Sequence, residues 1–547
     1  MATGFLLSGP NMLDRPLTPK GQVKKKTKTV DNVQYVTQYS YDMNGNLKTI
    51  TEPSGEVITN NYSNDKEVSV LKGAANLATS INYKPFGGIS SLNYGNGIAG
   101  SISYDNQYRV TGITVGAAMS LSYPTYDANG NITAINNVLD ATKNKSFSYD
   151  TLDRLSTATA SGIWGSLAWT YDGVGNRQTE GSTSYTYQPN TNKLNTVGGT
   201  SYGFDNNGNT TSQAARQYTY NQNQRLIQVV DGAMTATYTY NGLGQRVKKV
   251  VNGVTTIFHY DESGQLIAES SGSGAITAVY VYLNGQPLAK IEGTNVYYYH
   301  NDALGTPQKM TDSTGTVVWA ADYKPFGEAT ITVSTITNNL RFPGQYFDAE
   351  TGLLYNLNRD YNPNIGKYAQ ADPIGLFGGT NLYSYVENNP ISFIDPLGLA
   401  ATVVATPLPT GGFSFTATGT GLNGSINGTF NTGTINFNQI QSGTYTVSPR
   451  PALPNTFINW LFNRNQHAGL PTISNTSNWN IIQYPNGSIT QGAQIHPGRN
   501  GTNGGVSRAC MVTNQSTFNA LNNLFQLNYS NGGVTLIVLP LSLVPSH

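Results

Sequence analysis

A chain of 547 residues is too long for one ordinary domain, yet only 11 % of it is charged and its formal net charge is +1, so charge over the whole molecule recruits neither nucleic acid nor an anionic membrane. The single cysteine, Cys510, excludes an intramolecular disulfide framework and any multi-cysteine zinc site; no metal site and no cofactor are expected, and stability must come from packing. No stretch reaches the ~20 apolar residues that span a bilayer; the best, Val534 to Leu543, is shorter and broken by Pro540.

The N-terminus lacks a charged stretch followed by an apolar core, so no secretory signal is read there, and export would need another machine or a further N-terminal region. The basic run Lys24-Lys25-Lys26-Thr27-Lys28 is expected as a solvated arm or strand flank rather than a nucleic-acid contact. From about residue 35 to 270 one pattern then recurs: aromatic, small residue, Tyr or Phe, Asp or Asn, a polar loop often containing Gly, then an apolar or β-branched run. Instances are Tyr39-Ser40-Tyr41-Asp42, Tyr126-Asp127-Ala128-Asn129-Gly130-Asn131, Phe147-Ser148-Tyr149-Asp150, Trp169-Thr170-Tyr171-Asp172 and Tyr238-Thr239-Tyr240-Asn241. The alternation puts both rings on one face of a strand, and the Asn-Gly loops favour the positive φ of tight hairpins. Irregular spacing of roughly 15 to 30 residues argues against equal propeller blades and for one long winding antiparallel sheet.

On these residues the chain resembles the YD-repeat family, the Rhs and insecticidal-toxin C-component proteins. The resemblance implies an all-β fold in which a spiralling antiparallel β-sheet forms a hollow cocoon. His300-Asn301-Asp302-Ala303-Leu304-Gly305, Asp322-Tyr323-Lys324-Pro325-Phe326-Gly327 and Arg341-Phe342-Pro343-Gly344 resemble the Rhs core-end signature. After Leu399 the Tyr-Asp dipeptides vanish and Thr, Asn and Gly dominate. The expected domains are a β-shell over 1–340, a core-end region over 341–399 and a C-terminal domain over 400–547.

Within the core-end region, Asp372-Pro373-Ile374-Gly375 and Asp395-Pro396-Leu397-Gly398 each read as turns, because proline presets φ and aspartate caps its own backbone. The family it resembles uses an arginine, an aspartate thirteen residues on and a second aspartate twenty-three further as an internal aspartyl protease; Arg359, Asp372 and Asp395 match these spacings. Two carboxyls suit that chemistry, one protonated to polarise the scissile carbonyl and one ionised to activate water. The resemblance implies cleavage between Leu399 and Ala400. The usual Arg-Tyr-Tyr-Asp-Pro is replaced here by Arg359-Asp360-Tyr361-Asn362-Pro363.

The C-terminal region reads as mostly β with one helix: strands Phe413–Ala417 and Thr434–Phe437, a helix from about Ser516 with Phe518, Leu521, Leu524 and Phe525 on one face, and a closing strand Val534–Leu539. Its chemistry gathers in Gln494-Ile495-His496-Pro497-Gly498-Arg499-Asn500 and Gly505-Val506-Ser507-Arg508-Ala509-Cys510. These resemble the His…Ser-x-Gly-Cys motif of L,D-transpeptidases, and Ser442-Gly443-Thr444-Tyr445 resembles a strand of their interbacterial-effector branch; Ala509 stands where glycine is usual. His496 can make the Cys510 thiolate, backbone N–H groups around Ala509 and Cys510 can form an oxyanion hole, and Ser507 or Arg508 can bind a substrate carboxylate. Read without the resemblance, Cys510 is a small buried hydrophobe and His496 a loop residue.

The resemblances together imply a polymorphic toxin whose shell releases a cysteine-dependent enzyme acting on peptidoglycan stem peptides in the periplasm or cell wall of a competitor. They imply an immunity protein and an export machinery, type VI secretion or similar, as partners, with no nucleic acid and no membrane span. Two other readings stay open: a C-terminal nuclease using His496, Arg499 and Asn500, against which stand few acidic residues and little positive charge, and a non-enzymatic adhesion protein.

Overall fold

A computed structural model of the chain describes residues 13–14, 16–19, 21–85 and 88–399 and, within 400–547, the backbone of ten strands. The chain falls into two compact units: one holds most of its residues up to Pro373 together with Tyr383–Gly398, the other Ile374–Leu382 and Leu399–Val544.

The first unit is dominated by a 32-stranded sheet. It runs from Leu13–Asp14 to Ala329–Ser334, and each strand pairs antiparallel with its neighbours in the chain. The Tyr-Thr-Tyr strands behave as the alternation predicts: in Thr183–Tyr187, Arg216–Tyr220 and Met234–Tyr240 the threonine between the two tyrosines is exposed, while both rings lie on the covered face.

Two kinds of hairpin recur, which the repeat alone did not separate. Some are two-residue turns with both φ positive, such as Asp31-Asn32 (48° and 65°) and Asn252-Gly253 (48° and 87°), whose twist matches that of the flanking strands. The Tyr-Asp turns are longer. In Asp127–Asn131 the Asp127 N–H donates to Asn131 O at 3.0 Å. Asp127 Oδ1 accepts from the main-chain N of Asn129 (2.9 Å) and of Asn131 (2.8 Å), and Oδ2 from Asn131 Nδ2 (2.9 Å). Asp42, Asp172 and Asp205 repeat the arrangement, and Asp150 uses Arg154 Nε instead of the asparagine amide. The tyrosine just before sits at a β-bulge, seen at Tyr149, Tyr171 and Tyr240. Its hydroxyl donates to a carbonyl of the preceding hairpin: Tyr126 to Val110, Tyr149 to Ile132, Tyr171 to Leu155 and Tyr240 to Leu226, at 2.6–2.8 Å. In each dipeptide the aspartate therefore builds its own turn and the tyrosine ties that turn to the one before.

Strands more than two hundred residues apart also meet, so successive windings of the sheet lie side by side. Asn96 Nδ2 donates to Thr311 Oγ1 at 3.0 Å, and Lys26 Nζ to the Tyr260 carbonyl at 3.0 Å. The second contact corrects the reading of the basic run as a solvated arm or strand flank for Lys26 and Lys28, while Lys24 and Lys25 are exposed. Lys26 and Lys28 lie in the strand Lys25–Val30, are buried, and reach the carbonyls of Tyr260 and Phe258. Burial, and then the charge of Lys26, pull the Lys28 amine down to about 7.

After the long sheet comes a four-stranded antiparallel sheet, Tyr346–Asp348, Leu353–Asn356, Arg359–Asn362 and Lys367–Tyr368. Tyr346 and Tyr355 from this sheet pack with Phe258, Tyr280, Tyr299 and Trp319 of the long one into a single apolar cluster. Each such side chain contributes roughly 1.5–3 kcal/mol relative to an exposed one.

In the second unit the described strands form a mixed eight-stranded sheet. Its order is Ile426–Phe430, Phe413–Ala417, Val403–Pro407, Val534–Val538, Gly443–Ser448, Thr472–Ile473, Gln494–Pro497 and Cys510–Thr513. The strand expected at Thr434–Phe437 and the helix expected from Ser516 lie outside the described residues.

Candidate functional site

The four-stranded sheet positions the candidate site. Its two middle strands are joined by Leu357-Asn358, with Asn356 directly opposite Arg359. Leu357 has φ 49°, a conformation that costs energy for a residue with a side chain and persists only when its surroundings hold it. Arg225 does so, donating from Nη1 to Leu357 O at 3.1 Å and from Nη2 to Asn358 Oδ1 at 2.7 Å, while Asn358 Nδ2 donates to Leu397 O at 2.9 Å.

Arg359, at the head of the next strand, is 1 % exposed. Its guanidinium lies over the Tyr368 ring, 3.6 Å from the centroid. Nη2 reaches Asp372 Oδ2 at 2.9 Å and Asp395 Oδ2 at 3.2 Å, and Nε donates to the Gly398 carbonyl at 2.7 Å. The arginine and both aspartates singled out by their spacing therefore meet, with the two Oδ2 atoms no farther apart than the sum of those two ion-pair distances. Asp372 and Asp395 are buried as well. One guanidinium thus faces two carboxyl groups away from water, where a net negative charge is costly and a proton on one of the pair is favoured.

Two further residues complete the site. Tyr368 Oη donates to Asp395 Oδ2 at 2.7 Å; Asn356 Nδ2 donates to Tyr368 Oη at 2.9 Å and to the Asp395 carbonyl at 2.8 Å. Glycines then let the segment Asp395–Gly398 pass. A Cβ on Gly344 would lie 2.0 Å from Pro396 O, and one on Gly398, where φ is +63°, 2.3 Å from Asn356 O. No local motif announces Tyr368 or Asn356, because their roles come from cross-strand pairing and from a segment about thirty residues further on.

Asp360, which departs from the usual pattern, is also buried. Gln370 Nε2 donates to its Oδ2 at 2.6 Å, and Gln370 Oε1 accepts from its main-chain N at 2.7 Å. Burial pushes the Asp360 carboxyl up to about 6 against the opposing pull of that hydrogen bond. Asn362, the other departure, caps the turn that follows by accepting from Asn364 N at 3.1 Å.

Gly398→Ala is expected to push the segment off Asn356 and slow any chemistry at its end by roughly a hundredfold, the usual scale for an ångström of misplacement. Gly352→Ala is the control: φ is +72° there but the space is open. Equal yields of cut chain from the two variants in a pulse–chase experiment would refute this positioning role.

In the second unit Gln494–Pro497 pairs in parallel with Cys510–Thr513, placing Cys510 opposite Gln494 and His496 opposite Val512. Cys510 and His496 are thus on neighbouring strands, two positions apart in the register. Ser507, Arg508 and Ala509 lie outside the described residues, as does Ala400.

Residues 121–391, just under half of the chain, match the teneurin YD-shell family. This segment is similar to the YD-shell. The YD-shell fold is shared with the crystal structure titled TcdB2-TccC3 without hypervariable C-terminal region, at TM-score 0.61 and 22 % identity over 70 % of this chain and 23 % of that one. In sequence, the chain is 32 % identical over 215 residues to double-stranded DNA deaminase toxin A of Burkholderia cenocepacia, covering 33 % of this chain and 15 % of that protein. It is 31 % identical over 284 residues to the tRNA nuclease WapA of Bacillus subtilis, covering 50 % of this chain and 11 % of that protein. It is 37 % identical over 125 residues to toxin protein Tse5 of Pseudomonas aeruginosa, covering 22 % of this chain and 10 % of that protein. The chain therefore spans less than a sixth of each of these three relatives.

Proposed function

We propose that this chain is a self-cleaving polymorphic toxin of the Rhs type, in which the YD-shell and its core-end site cut the peptide bond between Leu399 and Ala400. The observation that carries the reading is Arg359, which joins Asp372, Asp395 and the Gly398 carbonyl, one peptide upstream of the proposed scissile bond. The ionised aspartate takes a proton from water as the water oxygen bonds to the Leu399 carbonyl carbon, and the protonated one gives its proton to the carbonyl oxygen. Collapse of the tetrahedral diol breaks the C–N bond and passes a proton to the Ala400 nitrogen, leaving a new carboxyl end and a new amino end. Both aspartates then stand ready for reversal, so removal of the product from the site makes the cut permanent. Relatives named as toxins support the wider reading.

For the released domain we propose a cysteine-dependent enzyme of the L,D-transpeptidase type, acting on peptidoglycan stem peptides outside the target's cytoplasmic membrane. The support is the pair of motifs around His496 and Cys510 and their neighbouring register positions. A Cys510 thiolate would attack the L,D-amide carbonyl, D-alanine would leave with a proton from His496, and the thioester would pass to water or to an amine. An immunity protein and an export machinery are the partners this reading calls for. A second reading, a released domain acting on nucleic acid, is favoured by the relatives named as a DNA deaminase and a tRNA nuclease. That likeness need not extend to the cargo, since the structural match holds with a protein titled as lacking its hypervariable C-terminal region.

The two readings separate in one experiment. Wild-type and Cys510→Ala proteins are incubated with tetrapeptide-bearing peptidoglycan fragments, with duplex DNA and with tRNA. Release of D-alanine by wild type alone is the expected result. Modified nucleic acid from both proteins, with untouched peptides, would replace the first reading by the second.

A further inference from the structure

Resting on the self-cleavage reading, we infer that Tyr385 is a further catalytic residue of the cut: its hydroxyl donates a hydrogen bond to the oxygen of the scissile carbonyl while water adds to the carbon.

A buried hydroxyl that finds no partner costs free energy, so each one needs a physical reason. Tyr385 is 0 % exposed, and among the described residues its Oη has no hydrogen-bond partner. Tyr35, Tyr39, Tyr220 and Tyr323 bury hydroxyls in the same condition, so the lack of a partner does not by itself mark a site. The surroundings of Tyr385 do. Its oxygen lies toward the main-chain N–H of Asp395 without meeting hydrogen-bond geometry. Burial first, and then the charge of Asp395, hold the hydroxyl well above its ordinary range. The proton therefore stays on the phenol, unspent, beside one of the two carboxyls that the cut requires.

The fold leaves this side chain little freedom. Its ring packs on Tyr361, with centroids 4.7 Å apart, on Phe342, stacked at 5.7 Å, and on Tyr368 at 6.0 Å. Tyr368 spends its hydroxyl on Asp395 Oδ2, so of the two tyrosines at this carboxyl one donor is used and the other is not. The backbone that follows is held as firmly. Val386, Glu387 and Asn388 all have positive φ (39°, 54° and 66°), a costly run for residues with side chains and above all for a β-branched one. Asn388 Nδ2, donating to Gly175 O at 3.1 Å, and Asn389 Nδ2, donating to Asn131 Oδ1 at 2.7 Å, keep it in place. An unspent donor in so constrained a position matches what the reaction creates. As the water oxygen bonds to the carbonyl carbon, charge gathers on the carbonyl oxygen. One lone pair of that oxygen takes the proton from an aspartate, and the other is open to a second donor. Tyr385 supplies a hydrogen bond there and keeps its proton, so no bond of the phenol breaks.

The test uses the full chain made by cell-free translation, pulse-labelled and chased, with the cut fraction followed in time; urea unfolding is measured in an uncut Asp395→Asn background. Tyr385→Phe keeps the ring and removes only the hydroxyl. It is expected to slow cutting by about a hundredfold, the scale of losing one preorganised donor. Its urea midpoint is expected to be no lower, because the hydroxyl that is lost had no partner in the folded chain. A purely structural role would lower stability and rate together. Replacing Tyr385 by para-aminophenylalanine, whose amine restores a donor hydrogen, is expected to recover most of the rate. Tyr39→Phe, which removes a hydroxyl equally without a partner from the strand Val33–Tyr41, is the control and is expected to cut as wild type does. A Tyr385→Phe chain cut at the wild-type rate, or a slowed one that is also destabilised or that the amine does not rescue, overturns the role of Tyr385 while leaving self-cleavage intact. Cutting that persists undiminished in Asp395→Asn would instead remove the self-cleavage reading itself.

Discussion

Arg359→Met is expected to leave the chain uncut and to weaken the first unit by roughly 3–5 kcal/mol, the usual cost of stripping one partner from a buried ion pair. Arg359 is 1 % exposed and joins two buried carboxyls. Without it neither has a cationic partner on this side, so both would take up protons and no carboxylate would remain to activate water. The Gly398 carbonyl would also lose its donor, and the segment would no longer be held at its end. Arg359→Lys separates the two effects. A lysine can keep one ion pair and part of the stability, but a single ammonium cannot reproduce the planar fork that serves two aspartates and a carbonyl together. Urea unfolding of both variants, with the cut fraction measured alongside, checks this; an Arg359→Met chain cut as completely as wild type contradicts it.

The second large effect is expected at Asp348, which joins the four-stranded sheet to the long one. Its carboxylate accepts from Arg246 Nη1 and Nη2 and from Lys249 Nζ, and Lys249 also reaches Glu350. Arg246 and Asp348 are 1 % and 2 % exposed, and the guanidinium lies over the Tyr355 ring at 4.2 Å. Asp348→Ala takes from buried Arg246 its ion-pair partner and leaves Lys249 with Glu350, so a loss of roughly 3–5 kcal/mol is expected, together with slower cutting because the sheet that carries Arg359 loses its anchor. The pH dependence has a definite sign. Burial would raise the Asp348 carboxyl, but Arg246 and Lys249 hold it below the ordinary range. Such a group contributes stability that is present above its unfolded pKa and is lost as pH falls through the folded one. The wild-type advantage over Asp348→Asn should therefore be full at neutral pH and shrink once the pH drops below the ordinary carboxylate range. An advantage that stays constant into acid would exclude the ion pair as its source.

What the sequence disclosed follows from the range of the interactions involved. The Tyr-Asp repeat was legible because its physics is local: the aspartate binds within four residues and the tyrosine reaches one hairpin back. Arg359, Asp372 and Asp395 were legible only through family spacing, since no rule of local structure brings a strand and two turns together. Tyr368 and Asn356 stayed hidden because the sequence does not show that Asn356 and Arg359 are cross-strand partners, nor that the segment after Asp395 returns to them. Lys26 and Lys28 were misread for the same reason. Their acceptors lie on a strand more than two hundred residues away, and a basic run without known partners reads as solvated.

The most direct test is the intact mass, under denaturing conditions, of the full-length wild-type chain beside Asp395→Asn. The account predicts two wild-type masses that correspond to a break between Leu399 and Ala400, and one undivided mass for the variant. A wild-type chain recovered whole, or an Asp395→Asn chain cut at the same bond, would contradict it.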